Sequence, residues 1–127
     1  MLHNVFLVAL GGAVGTTLRY LTGVGIARVL GVTGFPLAII TVNVIGSFLM
    51  GVFVVFAMER GLAHYYSPLV MTGLLGGFTT YSAFSLETVT LIEHGHPGLA
   101  AVYVVLSVVL CIGALMLGIW VMRKAFV

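Results

Sequence analysis

Two polar side chains, Asn43 and Arg19, lie within long apolar stretches and are the first candidates for chemistry. The amide of Asn43 brings hydrogen-bond donors and an acceptor into hydrocarbon and must find partners there. Joining neighbouring helices and lining a pore explain it equally well. Arg19 costs about 2.5 to 3.5 kcal/mol at the centre of a membrane helix. It therefore either extends to the headgroups or lines a water-filled vestibule whose positive charge gathers anions.

The most unusual stretch of the sequence, residues 73–85, reads GLLGGFTTYSAFS. Its glycine pair and its two β-branched threonines weaken a helix, so we predict a break from Gly77 to Thr80. Interrupted backbone at membrane depth is tolerated where protein buries it or a cavity wets it. The freed carbonyl groups commonly coordinate a cation.

Tyr81 and Phe84 follow the predicted break and are three residues apart, which places both rings on one helical face. Aromatic rings have electropositive edges. Such an edge can face an anion without the full charge that would hold it too tightly, and Ser82, Ser85 and Glu87 are polar neighbours. Packing is the ordinary alternative for both rings.

Small and polar residues recur at four-residue spacing on three other stretches, which keeps each set on one helical face. The sets are Gly11, Gly15, Arg19 and Gly23; Asn43, Ser47 and Gly51; and Tyr103, Ser107 and Cys111. Small residues at this spacing let helix backbones approach closely. We therefore interpret the glycines as packing residues.

The elements that carry these residues are predicted to be four membrane helices in an all-α fold. Of 127 residues, 61% are hydrophobic and 6% are charged, whereas a soluble domain has about 25% charged residues. A membrane-crossing helix needs about 20 apolar residues, so residues 1–127 form one transmembrane domain. The predicted helices cover residues 3–29, 36–58, 68–93 and 97–124, with a proline in the first turn of the last three.

The basic residues are divided between the two faces of the membrane. Arg60, Arg123 and Lys124 fall on the side of the termini, and Arg28 falls on the other, joined there by Arg19 if its side chain extends to the headgroups. Such a weak bias permits insertion in both directions and an antiparallel dimer of identical subunits. A single orientation set by the C-terminal pair is the alternative. Because the basic residues form no cluster, nucleic acid is excluded as a partner.

Three motifs resemble the Fluc (CrcB) fluoride channels over essentially the whole chain. They are Gly11-Gly12-x-x-Gly15-x-x-x-Arg19-Tyr20, Thr41-Val42-Asn43-x-x-Gly46, and Gly76-Gly77-Phe78-Thr79-Thr80-Tyr81-Ser82-Ala83-Phe84-Ser85-x-Glu87. The third motif is the specific one. The resemblance implies an antiparallel homodimer in the inner membrane, with two pores that export fluoride passively from the cytoplasm.

The resemblance also implies roles for individual residues. A structural sodium ion at the dimer interface would be bound by the backbone carbonyls of Gly77 and Thr80. Arg19 would make the vestibule positive. The implied pore residues are Asn43, Tyr81, Phe84, Ser107, Tyr103, Thr41, Ser82, Ser85 and Glu87. Tyr81 departs from the family, where phenylalanine is usual, and Cys111 stands where serine is expected.

Other functions fit the sequence less well. A small proton-coupled four-helix exporter depends on a carboxylate in its first helix, but Glu87 is the only acidic residue within a predicted span here. An intramembrane enzyme would need a base beside a serine at membrane depth, and the histidines lie in or near loops. A structural assembly subunit leaves Arg19, Asn43 and the predicted break unexplained. We therefore predict a channel and not an enzyme.

Overall fold

The computed structural model describes residues 1–126, which form four long helices joined by short loops. The first helix is Leu2–Leu30, the second is Leu37–Glu59, the third is Ala63–Glu93 and the fourth is Pro97–Ala125. All four are long and apolar enough to cross a membrane. The prediction of an all-helical, multi-pass membrane protein is therefore confirmed.

Large apolar side chains cover the outside of the bundle. On the fourth helix, Val105, Val109 and Met116 are 60%, 61% and 64% exposed. The buried core is small and centres on Ile40, Leu91, Ala100 and Tyr103. Apolar side chains exposed to lipid lose nothing, since lipid tails are as apolar as they are. The distribution therefore suits a bilayer.

The helices pack in two close pairs, the first with the N-terminal half of the third, and the second with the fourth. A Cβ atom added to Gly15 would overlap the carbonyl oxygen of Leu74, and one added to Gly51 would overlap that of Leu115. The predicted packing role of these glycines is confirmed. It does not extend to Gly23, where an added Cβ atom would meet nothing within 4 Å among residues 1–126.

The third helix begins at Ala63 and not at Pro68. Its first pieces are the α-helical Ala63–Ser67, the π-helical Pro68–Leu75 and the α-helical Gly76–Phe78. Pro68 has no backbone N–H to donate, and a wider π-helical turn accommodates such a residue inside a helix. The start predicted at Pro68 was therefore wrong.

Thr79 and Thr80 interrupt the third helix before its last piece, Tyr81–Glu93. Thr79 has φ −83° and ψ 160°, and Thr80 has φ −154° and ψ 120°, so both are extended. Gly77, where the predicted break begins, is still helical. The third helix as a whole bends by only 14°. Two residues thus leave the helical pattern in a nearly straight rod, and a helix broken into two differently directed halves is not confirmed.

Candidate functional site

Thr79 and Thr80 are called here the extended segment. Asn43 on the second helix binds this segment through both the nitrogen and the oxygen of its side-chain amide. Its Nδ2 donates to the carbonyl oxygen of Thr80 at 3.0 Å, and the N–H of Thr80 donates to its Oδ1 at 2.8 Å. Backbone groups inside a bilayer must be satisfied by the protein, and these bonds replace those that Thr80 would make in a helix. The second N–H of the amide is left for another partner.

Arg19 on the first helix binds Thr79, the residue before Thr80. Its Nη1 donates to the carbonyl oxygen of Thr79 at 3.1 Å, and its side chain is half-buried. Arg19 therefore reaches across to the third helix, a role that neither sequence-based alternative included. It also places a positive charge directly beside the extended segment.

Gly46 and the side chain of Thr80 also stabilise the extended segment. A Cβ atom added to Gly46 would overlap Cγ2 of Thr79, so the missing side chain lets the extended segment approach the second helix. Oγ1 of Thr80 accepts a hydrogen bond from the N–H of Ala83 at 3.2 Å, which caps the helical piece that follows. Together these contacts fix the segment from three directions.

A cleft of about 350 Å³, the main cleft, lies on one side of the extended segment. It is bounded by the second, third and fourth helices. Its polar lining includes Asn43 and Ser47, one turn apart, and Ser107 and Cys111, likewise one turn apart. The other lining residues are Gly46, Met50, Thr79, Thr80, Tyr81, Phe84, Val108 and Leu115. Sequence reasoning placed Ser47 and Cys111 on polar faces but did not name them as site residues.

Four aromatic rings form a continuous series from the open side of the main cleft into the core. The ring centroids of Tyr81 and Phe84 are 5.4 Å apart, and those of Phe84 and Tyr103 are 5.3 Å apart. Phe35 meets Tyr103 edge-on at 5.6 Å. Tyr81 is 80% exposed, whereas Tyr103 is 0% exposed. The series therefore presents an outward-facing ring, and Phe84 joins it to the interior.

Two buried hydroxyl groups, those of Tyr103 and Ser107, have no hydrogen-bond partner within residues 1–126. Ser107 is 5% exposed and lines the main cleft one turn away from Tyr103. Leaving a buried polar group without a partner costs about 1 to 3 kcal/mol. Two adjacent groups of this kind indicate a place for water or an ion.

A second cleft, of about 650 Å³, contains Arg19 and Ser82. Its other lining residues are Thr16, Tyr20, Gly23, Val24, Ala27, Ile39, Thr80 and Ala83. Thr80 lines both clefts, so the extended segment lies between them. The structure thus puts Arg19 on one side of this segment and Asn43, Ser107 and Cys111 on the other.

Four predicted pore residues, Tyr103, Thr41, Ser85 and Glu87, line neither of these two clefts in the described part of the chain. Tyr103 is buried, and the other three are half-buried. Oγ of Ser85 donates to the carbonyl oxygen of Tyr81 at 3.0 Å, a bond within its own helix. Their proposed roles in a pore remain predictions.

Comparison with known proteins places these residues in a family. The family model described as "CrcB-like protein, Camphor Resistance (CrcB)" matches residues 6–119. A Ruegeria sp. (strain TM1040) protein is 59% identical over 123 residues, or 97% of each chain. One from Roseobacter denitrificans is 57% identical over 126 residues, covering 98% of this chain and 99% of the relative.

A third relative, from Jannaschia sp. (strain CCS1), is 71% identical over 92 residues, or 72% of this chain and 87% of its own. All three relatives are named "Fluoride-specific ion channel FluC". The family match includes both clefts and the extended segment between them. This chain therefore belongs to the CrcB-like family.

Proposed function

We propose that this protein is a fluoride-selective channel through which fluoride leaves the cytoplasm passively across the inner membrane. Family membership and the names of the relatives support the ion. The structural observation that carries the proposal is a pair of buried hydroxyl groups that make no hydrogen bond within residues 1–126, that of Ser107 in the lining of the main cleft and that of Tyr103 one turn away. Both are hydrogen-bond donors at membrane depth.

Neutral donors suit this ion because conduction needs binding that is favourable enough for entry and weak enough for release. Fluoride is small and strongly hydrated, so close donors must replace its water. Hydroxyl groups, the thiol of Cys111, the second amide N–H of Asn43 and the ring edge of Phe84 provide such contacts without a full charge. A larger, less strongly hydrated anion gains less from closely spaced donors.

Export needs no energy source under this proposal. Hydrofluoric acid enters a cell as a neutral molecule and dissociates in the cytoplasm, so fluoride accumulates inside and an open path is sufficient. Arg19 lines the second cleft, where its charge raises the local concentration of anions. We place the vestibule there.

We further propose that two antiparallel copies form the working channel, with two pores. The main cleft is open on one side, and the ring of Tyr81 is 80% exposed near the middle of a membrane span. An ion path must be walled off from lipid, and a second copy supplies the missing wall. The balanced distribution of basic residues allows both orientations.

A structural sodium ion at the interface between the copies is part of the proposal. Because Thr79 and Thr80 are extended, the Gly77 carbonyl oxygen is separated from the N–H group that would donate a hydrogen bond to it in a continuous helix. The Thr80 carbonyl accepts one bond from Asn43 and has a second lone pair. Carbonyl oxygens are ligands that hard cations prefer, so both groups fit a sodium ion that holds the two copies together.

Fluoride flux from liposomes tests the channel proposal directly. Protein is reconstituted into vesicles loaded with potassium fluoride, valinomycin is added, and external fluoride is followed with an electrode. We expect release without a proton gradient, and far slower release of chloride from chloride-loaded vesicles. Release that strictly requires a proton gradient would identify an exporter. No release from intact protein would favour a structural subunit.

Two measurements test the assembly. In a Cys111→Ser background, Gly34→Cys places one thiol in the exposed loop after the first helix. A membrane-impermeant reagent should label about half of the copies in sealed vesicles if both orientations occur equally. Labelling of all or none would contradict dual topology.

Replacing sodium with a large organic cation should weaken the dimer in size-exclusion chromatography, and an unchanged dimer would argue against the sodium site.

A further inference from the structure

An apolar groove with a basic mouth lies at the end of the second helix, away from both clefts. One cavity of about 260 Å³ is lined by Phe53, Phe56, Ala57, Leu62 and Tyr66. A second, of about 310 Å³, shares Phe53 and Phe56 and continues between the second, third and fourth helices. The two cavities are neighbours along the second helix with Phe53 and Phe56 in common, and together they are called here the basic groove.

The basic groove has the length of a lipid chain within one leaflet. From Leu49 to Ala57 it follows the second helix for roughly 12 Å at about 1.5 Å per residue. One leaflet of the hydrocarbon core is about 15 Å thick. The inner walls, including Val52, Val70 and Leu74, are apolar. A single acyl chain therefore fits both the length and the chemistry of the groove.

Two cations at this end of the molecule lie over aromatic rings, and one of them, Arg60, lies over Phe56 in the wall of the basic groove. The guanidinium carbon of Arg60 is 5.9 Å from the ring centroid of Phe56 and 5.6 Å from that of Phe126. Nζ of Lys124 is 5.3 Å from the ring centroid of Trp120. Such contacts hold a cation at headgroup depth. The edge of the planar guanidinium remains able to donate to a phosphate.

The charge at this end of the molecule selects the headgroup. Arg60, Arg123 and Lys124 lie near the ends of the second and fourth helices, where Glu59 is the acidic residue. A phospholipid whose only headgroup charge is its phosphate complements this excess of cations. A zwitterionic lipid would add a further cation to the same place, so it complements the groove less well.

We propose that the basic groove is a binding site for one anionic phospholipid. Its acyl chain lies against Phe53 and Phe56, and its phosphate accepts hydrogen bonds from Arg60. The site is separate from both clefts, because within residues 1–126 it shares no lining residue with either of them. Its function is to anchor the ends of the second and fourth helices at a fixed depth.

Fluorescence quenching by brominated lipid tests this site. The chain has one tryptophan, so Trp120→Phe combined with Phe53→Trp moves the only reporter into the groove. The variant is reconstituted in phosphatidylcholine containing brominated-chain phosphatidylglycerol or, separately, brominated-chain phosphatidylcholine. We expect the anionic lipid to associate about fivefold more strongly, the size expected for one cation near an anionic lipid.

Arg60→Gln in this background should remove most of that preference, whereas Arg28→Gln, a matched loss of charge at the far end of the first helix, should leave it unchanged. Equal quenching by the two lipids, or an equal effect of the two substitutions, would overturn the proposal. Absence of quenching by either lipid would mean that protein, such as a second copy, fills the groove, and would also overturn it.

Native mass spectrometry provides a second test that does not need the tryptophan variant to fold. Delipidated native protein and its Arg60→Gln form are titrated with phosphatidylglycerol, and the tightest bound lipid is counted. We expect one lipid retained by the native chain, with affinity reduced about fivefold by the substitution. No retained lipid, or an unchanged affinity, would refute the site.

Discussion

Polar groups at membrane depth are arranged in opposite ways in two neighbouring regions of this molecule. Around Thr79 and Thr80, the side chains of Asn43 and Arg19 bind backbone groups. On the fourth helix, the hydroxyl groups of Tyr103 and Ser107 have no partner within residues 1–126. The first region uses its hydrogen bonds to hold the protein in shape, and the second leaves its donors available beside a cleft.

This difference distinguishes polar side chains that position the backbone from polar side chains that are available to bind a ligand. In water an unpartnered hydroxyl group is solvated, but in hydrocarbon it requires a partner from the protein or from a ligand. Removing a satisfied group should therefore reduce stability, whereas removing an unsatisfied group should reduce transport without reducing stability. The following substitutions test that division.

The largest effect is expected from Asn43→Ala. It leaves the N–H and the carbonyl group of Thr80 without their partners, and each such loss costs about 1 to 3 kcal/mol. We expect the free energy of unfolding in detergent to fall by about 2 to 6 kcal/mol, with loss of fluoride flux. Hydrogen exchange at Thr80 should become fast.

Ser47→Ala provides the matched control, since Ser47 lines the same cleft one turn further along the second helix. It should change the free energy of unfolding by less than about 1 kcal/mol. If both variants are equally stable, or if the Thr80 amide of Asn43→Ala still exchanges slowly, the holding role of Asn43 is wrong.

A smaller loss is expected from Gly15→Ala, which acts on the helix pair that positions the extended segment. The added methyl group overlaps the Leu74 carbonyl and must push the first and third helices apart. Overpacking of this kind costs about 1 to 3 kcal/mol. The methyl group added by Gly12→Ala, on the same helix, meets no described atom within 4 Å and should change stability by at most about 1 kcal/mol. Equal changes in the thermal unfolding of the two variants would argue against close packing at Gly15.

The contrast between the two regions also separates what the sequence reveals from what it does not. Apolar runs predicted the four helices, and four-residue spacing predicted the close contacts at Gly15 and Gly51. These are local patterns, readable along one helix. The start at Pro68 was predicted wrongly because helical structure continues through the proline as a wider turn.

The supporting bonds of the extended segment depend on how the helices pack. Asn43 and Thr80 are 37 positions apart, and Arg19 and Thr79 are 60 apart. No spacing rule joins residues at such distances, so the sequence could mark Asn43 and Arg19 as unusual but could not name their partners. For the same reason it could not reveal that the hydroxyl groups of Tyr103 and Ser107 have no hydrogen-bond partner in the described part of the chain.

Arg19→Gln should have a modest effect on stability and one on flux that depends on salt. Losing the bond to the Thr79 carbonyl should cost about 1 kcal/mol, because the side chain is only half-buried. Flux should fall at low ionic strength and approach that of the native chain at about 1 M salt, where the screening length is about 3 Å. Arg19→Lys keeps the charge and should retain most of the flux. If the Arg19→Gln variant loses the same fraction of flux at both ionic strengths, Arg19 has no electrostatic role in transport.

The smallest effect on stability, and the sharpest test of the comparison, is expected from Tyr103→Phe and Ser107→Ala. Removing a buried hydroxyl group that makes no hydrogen bond within the described residues should change the free energy of unfolding by less than about 0.5 kcal/mol, or increase it. A hydrogen bond to a charged group contributes about 1.5 to 3 kcal/mol, so fluoride flux should fall about tenfold or more. Val108→Ala, beside Ser107 in the same cleft, removes apolar volume without removing a donor and should leave flux nearly unchanged. A loss of stability above about 1 kcal/mol with normal flux would show that these hydroxyl groups also hold the protein together, and the two regions would then not differ in kind.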